Sequence, residues 1–266
     1  MSKKEFIYLV QADIGLPQSY AQIESPTSDV LCLTWKQEAP GCIFFPQSTW
    51  TEGRNRLLKE ALNKDDYKYY IFLDDDVFFR EGDFRTMEQN LLQYEPAVAT
   101  PFYTFHPHPY LELDVHTVYS FDAMFNAFHR DLLKDGIVLP YYDGFDSKSW
   151  WFSQLCVIHL SSVLYPDHVL KFNKIKIENH NHRQYPRNQV SEFEEMEKWI
   201  KKNIFKDTIR VSNNFKSHPK IKREEVYRSP FHKMASYRIP QAVQDEILNW
   251  DSPYWKRIAA IKNDLG

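Results

Sequence analysis

The sequence has no hydrophobic run that approaches the roughly 20 apolar residues needed to cross a bilayer. The residues up to Asp13 do not have the form of a secretory signal peptide. There are only 3 cysteines, with no CxxC pair and no regular spacing, which predicts buried free thiols in a reducing compartment. We therefore expect a cytoplasmic protein whose contact with membranes is at most peripheral.

Glycine is also scarce, at 7 of 266 residues, whereas aromatic residues are abundant. The length and the 43% hydrophobic content are typical of one large globular domain, or of one domain with an appendage. The charge is uneven, with 13 Lys and Arg against 24 Asp and Glu before residue 171, and 20 against 12 from there on. Acids are interleaved in the basic part, so we expect an ordinary solvated surface there and no nucleic-acid partner.

Residues 67–79, with the sequence YKYYIFLDDDVFF, organise the rest of the chain. The continuous apolar run over residues 69–73 predicts a strand buried on both faces, at the centre of a parallel or mixed sheet. The run ends in Asp74, Asp75 and Asp76. These acids are therefore expected at the carboxyl edge of the sheet, where open α/β folds bind their ligands.

The acidic triplet is a candidate metal site. Alternation along a strand predicts that Asp74 and Asp76 lie on one side and Asp75 on the other. Carboxylates so close repel each other unless a cation lies between them. Magnesium or manganese commonly takes one or two protein carboxylates and completes its shell with water and phosphate oxygens. The alternative is an acid cluster that only caps the next helix and faces solvent.

A helix is predicted just before this strand. Thr49 and Glu52 have the spacing of a capping box, and the apolar residues that follow fall on one face. Arg54 and Asn55 lie near the start of this helix, mostly off its apolar stripe.

Residues 139–151, LPYYDGFDSKSWW, form a second stretch with several chemical candidates. Asp143 and Asp146 flank a Gly-Phe turn ahead of Trp150 and Trp151, and an apolar helix is predicted from residue 151 to residue 160. An acid at such a helix start could be a cap or a catalytic base sheltered by aromatic side chains. The two tryptophans could wall a sugar or belong to the core.

Two histidines follow a short strand predicted over residues 175–177. His180 and His182 are two residues apart and would point the same way on an extended segment. With Arg183 beside them they suit metal binding or phosphate contact.

These features together resemble the GT-A class of nucleotide-sugar glycosyltransferases with a DxD motif, in particular its inverting, family-2-like members. The resemblance is most specific over residues 53–77, where Arg54 and Asn55 precede the strand that ends in the acids. It is weaker through residues 122–133 and 144–146, and it covers roughly residues 5–185. Two positions depart from the family pattern: Phe145-Asp146 replaces a Glu-Asp pair, and Gln154 stands where an arginine is common.

The resemblance implies an α/β fold with a central mixed, mostly parallel sheet flanked by helices. The catalytic domain would span residues 1–190, and a mainly helical extension over residues 191–266 would pack on it or form an oligomer contact. The activity implied is that of a hexosyl- or pentosyltransferase that requires Mn²⁺ or Mg²⁺. It would move a sugar from a nucleoside diphosphate donor, with UDP favoured, to a hydroxyl of a glycan or glycoconjugate, with inversion.

The residues and the resemblance together assign a role to each candidate. The base is Asp146, or else Asp143. The metal ligands are Asp74, Asp76, His180 and His182; the donor contacts are Asp13, Arg54, Asn55, Asp74, Asp75 and Arg183; the acceptor contacts are Trp150 and Trp151.

Two other classes of function compete with this interpretation. Phosphohydrolases of the haloacid-dehalogenase type also place a DxD after an apolar strand, but that strand is normally first in the chain, and Phe78 stands where they carry Thr or Val. A non-catalytic module could instead use the aromatic surface to bind carbohydrate or the basic tail to bind nucleic acid.

Overall fold

The computed structural model describes residues 3–104, 113–118, 121–135, 138–147, 149–165, 168–180 and 222–223. The strands are β1 Phe6–Ala12, β2 Ser28–Thr34, β3 Cys42–Phe44, β4 Tyr69–Asp74, β5 Val77–Glu81, β6 Val98–Tyr103, β7 Val115–Thr117, β8 Phe125–His129, β9 Val169–Asn179 and β10 Lys222–Arg223. The helices are α1 Trp50–Lys64, α2 Phe84–Tyr94, α3 Arg130–Asp135 and α4 Trp151–Leu164, and a 3₁₀ helix spans Gln18–Ile23.

Within this described part, the strands form one sheet in the order β10-β7-β9-β6-β8-β4-β1-β2-β3, and β5 pairs with β9 off that path. The half from β4 to β3 is entirely parallel, and β9 is also parallel to β6. Antiparallel pairs join β8 to β4 and β6, and β9 to β5 and β7. The predicted α/β class, with a mixed and mostly parallel sheet flanked by helices, is confirmed.

The two central strands are buried on both faces, as the apolar run in β4 predicted. One face of β1 and β4 packs with α1 and α4 through residues that include Leu9, Phe72 and Leu57. The other face packs with α2 through residues that include Tyr8 and Ile71. The two-residue alternation thus divides each strand between two cores, and this covers the sheet with helices on both sides.

Helix α1 begins as its sequence predicted. Thr49 is the N-cap; its side chain accepts a hydrogen bond from the N–H of Glu52, and the Glu52 carboxylate accepts one from the N–H of Thr49. This reciprocal capping fixes the position at which the helix starts, and with it the residues of its first turn.

Strand pairing between distant segments produced the main differences from prediction. Nothing in the sequence predicted β5, which forms only because Val77–Glu81 pairs antiparallel with β9. The strand predicted over residues 175–177 is the end of the much longer β9. Polar residues such as Lys171 and Asn173 interrupt its apolar pattern, yet both are buried in the sheet.

The predictions on cysteines and membrane spans concern described residues, whereas the prediction of a C-terminal extension falls almost entirely outside them. All three cysteines are free thiols; Cys32 and Cys156 are buried, whereas Cys42 is only partly so. No described helix has both the length and the apolar composition required of a membrane span. Apart from β10, the predicted extension over residues 191–266 lies outside the described residues, as does the domain boundary before it.

Candidate active site

A cavity of about 470 Å³ opens at the carboxyl ends of β1, β2 and β4. Its volume is in the range typical of small-molecule sites. This end of a parallel sheet is also where ligands of open α/β folds bind. The cavity is lined by Gln11, Asp13, Trp35, Ser48, Trp50, Asp74, Asp75, Asp76, Trp150 and His180.

The acidic triplet forms the turn between β4 and β5. The last residue of β4 is Asp74, and Asp75 and Asp76 form the turn itself. Because the strand ends at Asp74, the predicted alternation does not continue through the triplet, and all three acids line the same cavity. The expectation that Asp75 lies on the opposite side was therefore wrong.

Tyr20, in the 3₁₀ helix, holds this turn from behind. Its hydroxyl lies 2.7 Å from the carbonyl oxygen of Asp74 and 2.8 Å from that of Val77, one on each side of the turn. The ring is buried against Phe84 of α2. The turn is thus anchored through its main chain, and this leaves its carboxylates available for other contacts.

Replacing Tyr20 with phenylalanine is expected to cost about 1–2 kcal/mol of unfolding free energy, because two buried carbonyl groups lose their shared donor. Tyr69→Phe is a matched control, since the Tyr69 hydroxyl also contacts two main-chain carbonyls, at 3.2 and 3.1 Å, but at the other end of β4. Thermal denaturation should show similar losses for both variants. Only Tyr20→Phe should also weaken ligand binding in the cavity; equal binding by both variants would contradict the anchoring role.

Asp74 is held by a buried arginine. The Nη2 atom of Arg54 lies 2.5 Å from Oδ1 of Asp74, and the Arg54 side chain is only 1% exposed. Burial raises the pKa of Asp74 to about 7; the Arg54 guanidinium opposes this rise, and the carboxylates of Asp76 and Asp122 add to it. A cation near the triplet would therefore stabilise its charged form.

Arg54 itself does not line the cavity. Its guanidinium is enclosed by the rings of Trp50, Phe72 and Tyr141, with its carbon 4.2, 5.2 and 5.7 Å from the ring centroids. The structure thus places it behind Asp74, where it orients that carboxylate. Direct contact with a donor, predicted from the sequence, would require Arg54 to leave this aromatic enclosure.

Asn55 has both polar ends of its side chain occupied by the main chain of Tyr141. Its Nδ2 donates to the Tyr141 carbonyl, and its Oδ1 accepts from the Tyr141 N–H, each at 2.7 Å. This pair of bonds ties α1 to the segment before α4. Asn55 is absent from the cavity wall, so its observed contacts are structural.

Asp13 and Asp75 form a second acidic pair at the end of β1. The N–H of Asp13 donates to Oδ2 of Asp75 at 2.9 Å, and the Asp13 carboxylate forms an ion pair of 2.5 Å with Lys36. Burial raises the pKa of Asp75, and its hydrogen bond from Asp13 opposes the shift. Both predicted donor contacts lie on the cavity wall.

Asp76 and His180, both on the cavity wall, are the candidate ligands for a metal ion. The N–H of His180 donates to the carbonyl oxygen of Asp76 at 3.1 Å, and the His180 ring stacks on Phe78 with a centroid distance of 4.0 Å. No group of three or more His, Cys, Asp or Glu in the described ranges is arranged to hold a metal. The residues suit a divalent ion that takes its other ligands from a diphosphate and water, as magnesium commonly does.

His182 and Arg183, predicted to act beside His180, lie outside the described residues. Their roles stay predictions from the sequence.

Asp146 is bound by hydroxyl groups at the junction of α1 and α4. Thr49 Oγ1 donates to its Oδ2, and Thr51 Oγ1 donates to its Oδ1 at 2.6 Å. Ser153 Oγ lies 3.1 Å from the same Oδ1. The N–H of Asp146 donates to the carbonyl of Asp143 at 3.0 Å, which closes the predicted turn. Neither acid is among the residues that line the main cavity.

The adjacent tryptophans face different spaces. Trp150 lies on the main cavity and packs on Trp50 with a centroid distance of 4.4 Å. Trp151 instead lines a second cavity of about 70 Å³. The structure therefore separates the two residues that were predicted together as acceptor contacts.

Four residues of the cavity wall were missed as site candidates: Gln11, Trp35, Ser48 and Trp50. Gln11 could have been predicted from the sequence, because it lies at the end of the first apolar run. In the structure it pairs in register with Asp74. Its amide packs on Gly53, where an added Cβ would lie 2.3 Å from Nε2. That close approach explains why a glycine stands inside α1. A glycine inside a predicted helix was therefore the signal in the sequence for a crowded helix start.

No protein-family model matches the chain, and no curated protein matches it. The fold is similar to the crystal structure of S. aureus TarS 1-349 in complex with UDP-GlcNAc, with 11% identity, a TM-score of 0.49, and coverage of 74% of this chain and 65% of that one. Other TarS structures have 60% of their chain covered, so this chain spans less than two thirds of their length. Glucosyl-3-phosphoglycerate synthase from Mycobacterium tuberculosis, in complex with Mg²⁺ and UDP, has 10% identity and a TM-score of 0.40, with 87% and 92% coverage.

Proposed function

We propose that this protein is a GT-A-like, metal-dependent glycosyltransferase. It would transfer a sugar from a nucleoside diphosphate sugar, with UDP favoured, to a hydroxyl of a glycan or glycoconjugate. The observation that carries the proposal is the anchored acidic turn over residues 74–76, which lines a cavity of about 470 Å³. Four acids on this wall would repel a diphosphate, so a divalent cation is needed between them.

Asp76 and His180 are the residues that would hold this cation, with Asp74 beside them. A bound Mn²⁺ or Mg²⁺ would supply positive charge against the departing diphosphate. Arg54 keeps the Asp74 carboxylate in one orientation through their 2.5 Å contact. Such a fixed arrangement lowers the reorganisation required when charge develops on the leaving group.

The part of the wall at the end of β1 suits the nucleoside. Asp13 and Asp75 can accept hydrogen bonds from ribose hydroxyls or from a base. Trp35, Trp50 and Trp150 line the same cavity and offer aromatic surface to planar or apolar groups. Nucleoside and diphosphate would thus lie along the ends of β1, β2 and β4.

The transfer requires a carboxylate for the proton of the acceptor. The acceptor oxygen bonds to the anomeric carbon while the bond from that carbon to the diphosphate oxygen breaks, and the electron pair leaves with the diphosphate. In an inverting reaction the hydroxyl proton passes to a base, which the sequence predicts to be Asp146 or Asp143. Catalysis by Asp146 would require it to give up hydrogen bonds from Thr49 or Thr51.

The central experiment is a thermal-shift screen of UDP, GDP, CDP and ADP, each with Mn²⁺, Mg²⁺ or EDTA. We expect UDP to raise the melting temperature only when a divalent ion is present. A shift of equal size in EDTA would refute metal-dependent binding. Steady hydrolysis of p-nitrophenyl phosphate without nucleotide binding would favour the phosphohydrolase, and binding of glycans without any nucleotide would favour the non-catalytic module.

A further inference from the structure

Two of the three cysteines are brought together by the pairing of β2 with β3. Cys32 of β2 and Cys42 of β3 are partners in register, although they have no CxxC spacing in the sequence. Partners in a parallel pair direct their side chains to the same face of the sheet. Both cysteines accordingly contribute to the core that packs with α2. The two thiols are therefore neighbours.

The spacing of the two strands suits a disulfide bond. Neighbouring strands lie about 4.8 Å apart, and the Cα atoms of disulfide-bonded cysteines lie roughly 4.4–6.8 Å apart. The Cβ atoms must approach to about 3.8 Å, so a small movement of one strand is needed. Strand β3 can supply this movement, because it has only three residues and forms one edge of the described sheet.

The two thiols differ in their access to solvent. Cys32 is 4% exposed, whereas Cys42 is only partly buried. Burial and the neighbouring Cys42 thiol raise the pKa of the Cys32 thiol, and the charge of Asp75 adds to this rise. Cys32 thus stays a neutral thiol, and Cys42 is the sulfur that a dissolved oxidant reaches first.

Cys156 provides the contrast of a purely structural cysteine in the same fold. It lies in α4, is 1% exposed, and belongs to the core on the opposite face of the sheet. Burial raises the pKa of its thiol. Cys156 therefore has neither access to an oxidant nor a second thiol beside it.

We propose that Cys32 and Cys42 form a redox modification site, at which hydrogen peroxide converts the two thiols into an intramolecular disulfide. This inference does not depend on the proposed transferase activity. In proteins of reducing compartments, disulfides are usually transient and serve catalysis or redox sensing. The free thiols of the structure are the reduced form of such a site.

The reaction balances with hydrogen peroxide as the oxidant. The Cys42 sulfur attacks one peroxide oxygen, the O–O bond breaks, and Cys42 becomes a sulfenic acid while one water leaves. The Cys32 sulfur then attacks the Cys42 sulfur; the S–S bond forms, the S–O bond breaks, and a second water carries away the Cys32 proton. The two thiols thus lose two electrons to the peroxide, which is reduced to two waters.

The disulfide fixes two strands that lead into the main cavity. Trp35 follows β2 directly and lines the cavity wall. After β3, the N–H of Phe45 donates to the Thr34 carbonyl at 2.8 Å. The hydroxyl of Ser48, which is also on the wall, donates to the Phe45 carbonyl at 2.8 Å. The modification thus lies within the segments that hold one side of the cavity.

The test treats the folded, reduced protein with hydrogen peroxide and adds denaturant only together with an alkylating agent. Intact mass spectrometry then counts the alkylated cysteines. Lys36 lies between Cys32 and Cys42, so trypsin places the two cysteines on separate peptides. The variants are Cys32→Ser and Cys42→Ser, with Cys156→Ser as the matched control. Circular dichroism and melting temperature check the folding of each variant.

We expect the parent to fall from three alkylated cysteines to one, with a disulfide between the peptides that contain Cys32 and Cys42. Cys156→Ser should lose both of its remaining thiols in the same way, and dithiothreitol should restore them. Cys32→Ser and Cys42→Ser should form no intramolecular disulfide.

The proposal is overturned if the folded parent keeps three alkylated cysteines after oxidation. It is also overturned if the only disulfides join separate chains, or if Cys42 is oxidised without forming a bond to Cys32. The parent and its peptide map decide the outcome by themselves, so a variant that fails to fold does not weaken the test.

Discussion

Replacing Asp76 with alanine is expected to abolish the stabilisation by UDP and Mn²⁺ without lowering the stability of the free protein. Asp76 lies in the turn after β4, on the cavity wall, and its carboxylate raises the pKa of the neighbouring Asp74. Removing it takes away a repulsive charge, so the melting temperature of the free protein should stay constant or rise. If Asp76 holds the cation, as we propose, its loss should reduce metal-dependent UDP affinity by at least about a hundredfold, or about 2.7 kcal/mol.

Asp66→Ala is the matched control for this experiment. Asp66 also pairs with cations, Lys3 and Arg130 at 3.1 and 3.0 Å, but it is 61% exposed. Surface ion pairs contribute little, so this variant should bind UDP as the parent does. If Asp76→Ala bound UDP and Mn²⁺ as tightly as the parent and Asp66→Ala, the metal role of Asp76 would have to be abandoned.

Local signals in the sequence were sufficient to predict the centre of the fold. A strand with apolar residues at every position must be covered on both faces, and β4 is covered by α1 and α4 on one face and by α2 on the other. The capping box at Thr49 and Glu52 depends only on residues three positions apart, and it is present as predicted. The cavity also lies at the carboxyl end of β4, where the acidic triplet indicated a site.

Features that depend on distant partners were not predictable in this way. The strand β5 exists through its pairing with β9, about a hundred residues later in the chain. The orientation of Arg54 depends on three aromatic rings from separate segments, so its place behind Asp74 could not be read from its proximity to the helix start. The resemblance to glycosyltransferases predicted that Asn55 contacts the nucleotide-sugar donor, although the Tyr141 main chain occupies its side chain.

The acidic triplet illustrates how a local rule fails at a turn. Alternation holds only while the backbone is extended, and β4 ends at Asp74. Beyond that residue, the direction of Asp75 is set by the N–H of Asp13, and the turn is anchored by Tyr20. Both partners come from the segment after β1, more than fifty residues earlier in the sequence. The acids of the cavity wall were thus predictable, but the contacts that orient them were not.

Asp146→Asn is expected to lower the melting temperature and to weaken UDP binding at the same time. Asp146 receives hydrogen bonds from Thr49 and Thr51 at the start of α1 and contacts Ser153 in α4. An amide at this position replaces one acceptor oxygen by a donor, which faces the hydroxyl of Thr49. Weakening charge-assisted hydrogen bonds of this kind costs about 1.5–3 kcal/mol each.

Stability and ligand binding are coupled because the starts of α1 and α4 position two tryptophans of the cavity wall. Trp50 is the residue after Thr49, Trp150 directly precedes α4, and their rings meet at 4.4 Å on the cavity wall. If the junction loosens, this aromatic wall shifts, so stability and UDP affinity should fall together. A chain size near this one implies a decrease of roughly 2–4 °C in the melting temperature for each kcal/mol lost.

Asp143→Asn is the control that separates a structural role from catalysis. Asp143 belongs to the same turn and accepts the Asp146 N–H through its main-chain carbonyl, which the substitution preserves. If Asp146 positions the helices, Asp146→Asn lowers stability, UDP affinity and transfer together. A double variant with Thr49→Val and Thr51→Val should then reproduce these losses, because it removes the same hydrogen bonds. If Asp146 is instead the base, transfer from a UDP-sugar falls at least about a hundredfold while the melting temperature and UDP affinity are unchanged. Loss of transfer in Asp143→Asn alone, with stability intact, would assign the base to Asp143 and leave Asp146 to hold α1 against α4.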